Sequence, residues 1–409
     1  MSEKFIKTAN LYLDKLCNKI KDRSVGSEGN QRATQFTDQV FRNFGWSTET
    51  PAFDVMDWQD MGATLICEGQ PFKVKASPYS PGCDVKGKLI CVSTLEELEK
   101  TDAAGKILFL SGEIAGEQLM PKNFVFYNPE AHKHIVYLLE NSNAKAIISA
   151  TGRNAALAGG VYPFPMIEDG DFDIPSVFMT EEEGRKLISK AGREIHLISA
   201  AQRIPSTASN SIAKCGINKD KKIVITAHID AKKGSPGAID NATGVVVLLL
   251  LAELLKDYSG KYQIELVALN GEDYYAVPGQ MNYIQTNKEN FGNILLNINI
   301  DGAGYKNSPS AFSYYQLPFS IKNKMKNIIK NTPDIVEGKQ WVQGDHSIFV
   351  QSGIPAIAVS SKWFIDNIDS QTITHTKKDN LSIVKPEKIV QIAESIAALI
   401  QQLQVKSPA

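Results

Sequence analysis

Apolar positions recur at helical spacing over the first forty residues. Ile6, Ala9, Leu13, Leu16 and Ile20 fall on one face, and after a turn at Gly26-Ser27-Glu28-Gly29 the positions Ala33, Phe36, Val40 and Phe41 predict a second helix over 30–44. Residues 46–53 read as a strand. From about residue 63 the texture changes to short apolar runs (63–66, 88–92, 106–110, 144–149 and 174–179) separated by polar turns, with one helix near 132–141. That pattern predicts a compact, strand-rich module. From Ser206 it changes again. Long apolar strands at 223–227, 264–269, 294–300 and 356–359 alternate with helices over 244–256, 279–287 and 319–329. Near-continuous apolar strands with helices between them predict an α/β fold, its mixed, mostly parallel sheet sandwiched by helices.

Two changes of texture in 409 residues fit a chain too long for one ordinary domain. The expected boundaries put 1–62 with 205–409 in one discontinuous domain and 63–204 in another. A net charge of −1, with Lys and Arg spread thinly, gives no electrostatic footprint for nucleic acid or an anionic membrane. The longest apolar run, Val245–Ala252, is too short to span a bilayer. Residues 1–20 lack a basic segment followed by an apolar core. The five cysteines form no C-x-x-C pair and fit a reducing compartment, so the expected location is cytoplasmic. Nothing in the pattern speaks to oligomeric state.

The chemistry is written just after the long strands. The first ends in His228-Ile229-Asp230, the second in Glu272-Asp273, the third in Asp301. In open α/β sheets, ligands gather beyond the carboxyl ends of the strands, so three strand ends deliver metal-capable side chains to one crevice. His375 lies in a loop after the last strand, and Asp240 in the loop before a helix. Two imidazoles with three carboxylates suit zinc, cobalt or manganese, and argue against calcium. Carboxylates bridge ions about 3.5–4 Å apart in two-metal hydrolysis. One further carboxylate must stay free to take a proton from water, and the Glu272-Asp273 pair allows that division. Asp230, two residues after His228, stands where it can orient that ring through its free nitrogen. Asp345, His346 and Tyr274 are candidates for substrate contact. For Asp379, bracing His375 and capping the turn before Leu381 are both open readings. His132, His134 and His196 read as surface or satisfied-core residues.

The blocks A-H-I-D at 227–230, D-N-A-T-G at 240–244, N-G-E-D at 270–273, N-I-D-G at 299–302 and H-T-K-K-D at 375–379 resemble the zinc aminopeptidase and glutamate-carboxypeptidase family. Gly344-Asp345-His346-Ser347-Ile348-Phe349 resembles its late S-D-H-x-x-F block, and Arg23 to Asn30 its N-terminal signature. The stretch 63–204 is similar to the protease-associated domain inserted in many members, through Asp84 to Leu89 and Ile174 to Val177. The resemblance implies two zinc ions per chain, one held by His228, Asp240 and Asp301, the other by Asp240, Asp273 and His375. It implies Glu272 as general base, Asp230 as the carboxylate orienting His228, and attack of a zinc-activated water on the first peptide bond of a peptide. Two departures stand out. Asp273 replaces the Glu of many members, and one extra residue precedes Gly279.

The expected function is therefore a metallo-aminopeptidase acting on peptides. A carboxypeptidase or dipeptidase on the same scaffold would need a basic cluster for the substrate's carboxylate, and the second half shows no Arg cluster. An inert binding protein on this fold would lack ligand positions, whereas here all five carry usable side chains.

Overall fold

The four longest apolar strands of the second half pair in parallel. Lys222–His228 lies between Gln263–Leu269 and Ile294–Ile300, and Ala356–Ser361 follows beyond Ile294–Ile300. Four further strands of mixed direction complete an eight-stranded sheet. Ser211–Cys215 and then Ser47–Glu49 extend one side, while Ser310–Tyr315 and then Ile335–Glu337 extend the other. Every residue of Lys222–His228 and Gln263–Leu269 is buried, as a sheet covered on both faces requires.

A computed structural model of the chain describes residues 3–125, 128–151, 165–216, 221–368 and 371–404. These form two compact units, Met1–Val55 with Thr207–Ala409, and Met56–Ser206. In the first, helix Thr243–Leu254 is buried at every position from Thr243 to Ala252. A helix apolar all round belongs inside, and this one packs on Lys222–His228 beneath helices Glu3–Asp14, Glu28–Asn43 and Pro386–Gln404. Helix Glu28–Asn43 begins where the Ser27 hydroxyl accepts the Asn30 amide at 3.0 Å, two residues earlier than the apolar spacing predicts. The longest helix, Pro386–Gln404, is absent from the predicted elements, although Ile389, Ile392, Ala393, Ile396, Leu399 and Ile400 recur at helical spacing and are buried.

The second unit carries its own eight-stranded sheet. Cys83–Val92, Ile107–Leu110, Ala146–Thr151 and Ser176–Thr180 run parallel, with helices Leu95–Lys100 and Glu130–Asn141 in the connections. Ile107 and Phe109 enter one apolar cluster and Leu108 and Leu110 the other, as strand alternation dictates. The strand-rich pattern thus conceals parallel crossovers, because an apolar run of four to six residues carries no direction. Among the described residues no helix is long and apolar enough to cross a membrane.

Candidate metal centre

His228 closes its strand, Asp301 follows the end of Ile294–Ile300, and Glu272 and Asp273 follow Gln263–Leu269 after Asn270 and Gly271. The parallel register sets these ends side by side. His228 Nε2 lies 3.1 Å from Asp240 Oδ1 and 3.5 Å from Asp301 Oδ1. His375 Nε2 lies 3.2 Å from the other oxygen of Asp240 and 2.8 Å from Asp273 Oδ1. Two donor groups result, His228/Asp240/Asp301 and Asp240/Asp273/His375, with Asp240 common to both. A third grouping, His228/Glu272/Asp273, sets Glu272 against the same centre.

The backbone around these side chains is held closely. Asp230 accepts the amides of Gly271, Glu272 and Asp273 at 2.7, 3.3 and 3.0 Å, tying the first strand end to the second. Its carboxylate stands 3.7 Å from His228 Nδ1, beyond hydrogen-bond length, because its lone pairs serve those amides. Asn270 is fixed from the N-terminal segment by a reciprocal amide pair with Asn30, at 2.8 and 2.9 Å. The loop reaching Asp240 starts at Gly237, whose φ of +59° favours glycine; a Cβ there would come within 2.6 Å of Ala231 Cβ and Asp240 O. Asp379 accepts the amides of Ile239 and Asp240 at 2.8 and 3.2 Å. It neither braces His375 nor caps the turn at Leu381, which Asn380 caps instead.

The donors fit a divalent cation of the zinc type. His228 Nε2, Asp273 Oδ2 and Asp301 Oδ1 are buried yet make no hydrogen bond of acceptable geometry, an arrangement that is costly unless they serve a ligand. Imidazole mixed with carboxylate is zinc's ordinary donor chemistry. The electrostatics agree. Burial and the like charges of Asp273 and Asp301 push the half-buried Glu272 carboxyl well above its usual range, against the pull of His228. Burial also raises Asp301. Burial disfavours the charged form of His228, yet the surrounding carboxylates of Asp230, Asp240 and Asp301 carry it above its ordinary value. Anions outnumber cations here, an imbalance that a bound cation would offset.

All three substrate-contact candidates are buried. His346 is buried, its Nε2 3.0 Å from the Trp341 carbonyl and its ring against Tyr315 and Trp341. Burial lowers its pKa to about 4, so it holds the 341–346 loop as a neutral ring. Tyr274 is buried against Tyr275, ring centroids 4.5 Å apart. Asp345 is buried beside the centre and accepts the Gln280 side chain at 2.7 Å; burial raises its carboxyl to about 7. The extra residue before Gly279 is absorbed by a turn in which the Val277 amide donates to the Tyr274 carbonyl at 3.2 Å. Asp273, one methylene shorter than Glu, still reaches His375. His132, His134 and His196 pair with Glu117, Glu99 and Asp84 in the other unit. Pattern reading passed over Arg23 and Asn30 as individuals. Both lie in the 23–30 block, which was the available signal.

Residues 210–400 match the model of Peptidase family M28. The aminopeptidase YwaD of Bacillus subtilis (strain 168) is 23% identical over 282 residues, 64% of this chain and 58% of its own length. The probable lipoprotein aminopeptidase LpqL of Mycobacterium tuberculosis is 24% identical over 298 residues, 71% of this chain and 57% of its own. The chain thus spans under two thirds of the length of both curated relatives. Among solved structures, an aminopeptidase from Aneurinibacillus sp. strain AM-1 superposes with a TM-score of 0.76 at 20% identity, covering 99% of this chain and 96% of that one. The zinc aminopeptidase BSAP from Bacillus subtilis gives 0.75 at 19% identity, covering 98% and 95%. At those identities the likeness establishes the α/β fold.

Proposed function

We propose, from the match of residues 210–400 to Peptidase family M28, that this chain is a zinc-dependent aminopeptidase that hydrolyses the N-terminal bond of peptides. One observation carries the reading: two complete three-residue donor groups share Asp240, with an unassigned acid, Glu272, at their side. His228, Asp240 and Asp301 would hold one ion, and Asp240, Asp273 and His375 a second, with cobalt or manganese as substitutes. The chemistry that such a pair supplies when bound is acidification of water and polarisation of a carbonyl.

The chain's own residues supply the rest. Glu272 takes a proton from the attacking water and returns it to the departing amine. Asp230, through the amides of residues 271–273, keeps that carboxylate at a fixed place. Asp345 adds a buried acid near the centre. Surplus carboxylate attracts an ammonium group, the charge carried by a free peptide N-terminus, whereas a carboxypeptidase would need a cation for the opposite end. The 56–206 unit is read as an inserted protease-associated domain, on the Asp84–Leu89 and Ile174–Val177 blocks.

Paired peptides with free and acetylated N-termini test this, with metal content measured on the same sample. Cleavage of the free peptide alone, abolished by chelation and restored by zinc, is the expected result. Release of C-terminal residues from both peptides would replace the reading with a carboxypeptidase.

A further inference from the structure

Arg23 is 2% exposed, yet none of its four hydrogen bonds goes to a carboxylate. Its Nε donates to the Ile229 carbonyl at 3.0 Å, between His228 and Asp230. One terminal nitrogen donates to the carbonyls of Leu16 and Pro236, at 2.8 and 2.9 Å, and the other to that of Gly237 at 2.8 Å. A planar guanidinium with its donors in a fixed fork sets several carbonyls at once, which an ammonium on a flexible stem does not. Asp379 grips the same loop by its amides. Its carboxylate takes those of Ile239 and Asp240, and its own carbonyl accepts the Ala238 amide at 3.2 Å. Five consecutive residues, 236–240, are therefore held, the first two through their carbonyls by Arg23 and the last three through their amides by Asp379.

We propose that Arg23 and Asp379 are positioning residues that clamp the 236–240 loop between them, so that Asp240 presents one oxygen to His228 and the other to His375. The inference rests on the metal-centre reading above and extends it to a residue outside the 210–400 segment. The physical ground is that side chains supporting a metal ligand set its direction, and that their loss typically lowers metal affinity roughly 10–100-fold. Because Asp240 serves both donor groups, losing either half of the clamp weakens both positions together. A defect in a residue serving only one group would spare the other.

The test uses the full chain and three proteins: the parent, Arg23→Lys and Asp379→Asn. Zinc affinity is read by chelator competition, the cobalt form by its visible absorption, and the fold by circular dichroism and thermal unfolding. Each variant is expected to keep the parent's circular dichroism while both zinc affinities fall roughly 10–100-fold and the cobalt bands shift. Variants that bind two ions with parent affinity and an unshifted cobalt spectrum overturn the clamp. Metal loss that only accompanies loss of fold in both variants also overturns it, assigning the pair to the core. A parent that binds no zinc is a separate outcome and removes the metal-centre reading itself.

Discussion

The strand Lys222–His228 carries buried charge at both of its ends, and the two ends are finished differently. At the first, Lys222 Nζ lies 3.1 Å from Glu265 and 2.8 Å from Asn287 Oδ1, while the Tyr283 hydroxyl donates to the other Glu265 oxygen at 2.9 Å. Both oxygens of Glu265 are engaged and the ammonium is paired. At the last, His228, Asp273 and Asp301 are just as buried but keep nitrogen and oxygen atoms without hydrogen-bond partners, aimed at one another. A satisfied buried network fixes structure, whereas an unsatisfied one keeps its donors for something else. The same physical rule thus separates the scaffold end of the sheet from the working end, without reference to any relative.

Breaking each end should therefore produce opposite signatures. Glu272→Gln keeps the size of the side chain and removes the base. Peptide hydrolysis should fall roughly 10²–10⁴-fold in kcat while metal content and unfolding temperature stay at parent values. Glu265→Ala at the other end strands the Lys222 ammonium in the interior. Removing one partner of a buried pair costs about 3–5 kcal/mol, so denaturant unfolding should show that loss while metal stoichiometry in the folded fraction is unchanged. Metal loss in Glu265→Ala at full stability would erase the distinction between the ends.

A smaller effect concerns His346. Its folded pKa, about 4, lies below the ordinary histidine value near 6.5, so the unfolded chain binds the proton more tightly. Stability from this residue is complete above about pH 6.5, declines as pH falls towards about 4, and levels off below, a total of about 3 kcal/mol. Denaturant unfolding of the parent and His346→Asn between pH 7 and 4 checks this: the variant should lack that part of the acid loss. A parallel decline in both would remove His346 as its cause.

The strand ends were the most legible part of the molecule. Four long apolar strands alternating with helices imply a mostly parallel sheet, and that sheet brings His228, Asp301 and the segment bearing Asp273 to one edge. Asp240 and His375 were legible as residue types in context, but their approach depends on loops whose course no periodicity encodes. Contacts to backbone amides and carbonyls were the least legible. Asp230 serves three amides more than it serves His228, and Asp379 works on a loop that precedes it by about 140 residues. Side-chain-to-backbone bonds of this kind leave no pairing pattern in a single sequence. The direction of strands in the 56–206 unit was hidden for a related reason: pairing partners, not local pattern, decide it.

The shared position of Asp240 is the central claim, and metal counting tests it most directly. After reloading with a small excess of zinc and dialysis against metal-free buffer, the parent and Asp240→Ala are analysed for zinc per chain by mass spectrometry, with circular dichroism on the same samples. Two ions in the folded parent and fewer than one in the folded variant is the predicted result, because one carboxylate completes both donor groups. Loss of a single ion, or retention of both, would show that Asp240 does not join the two positions.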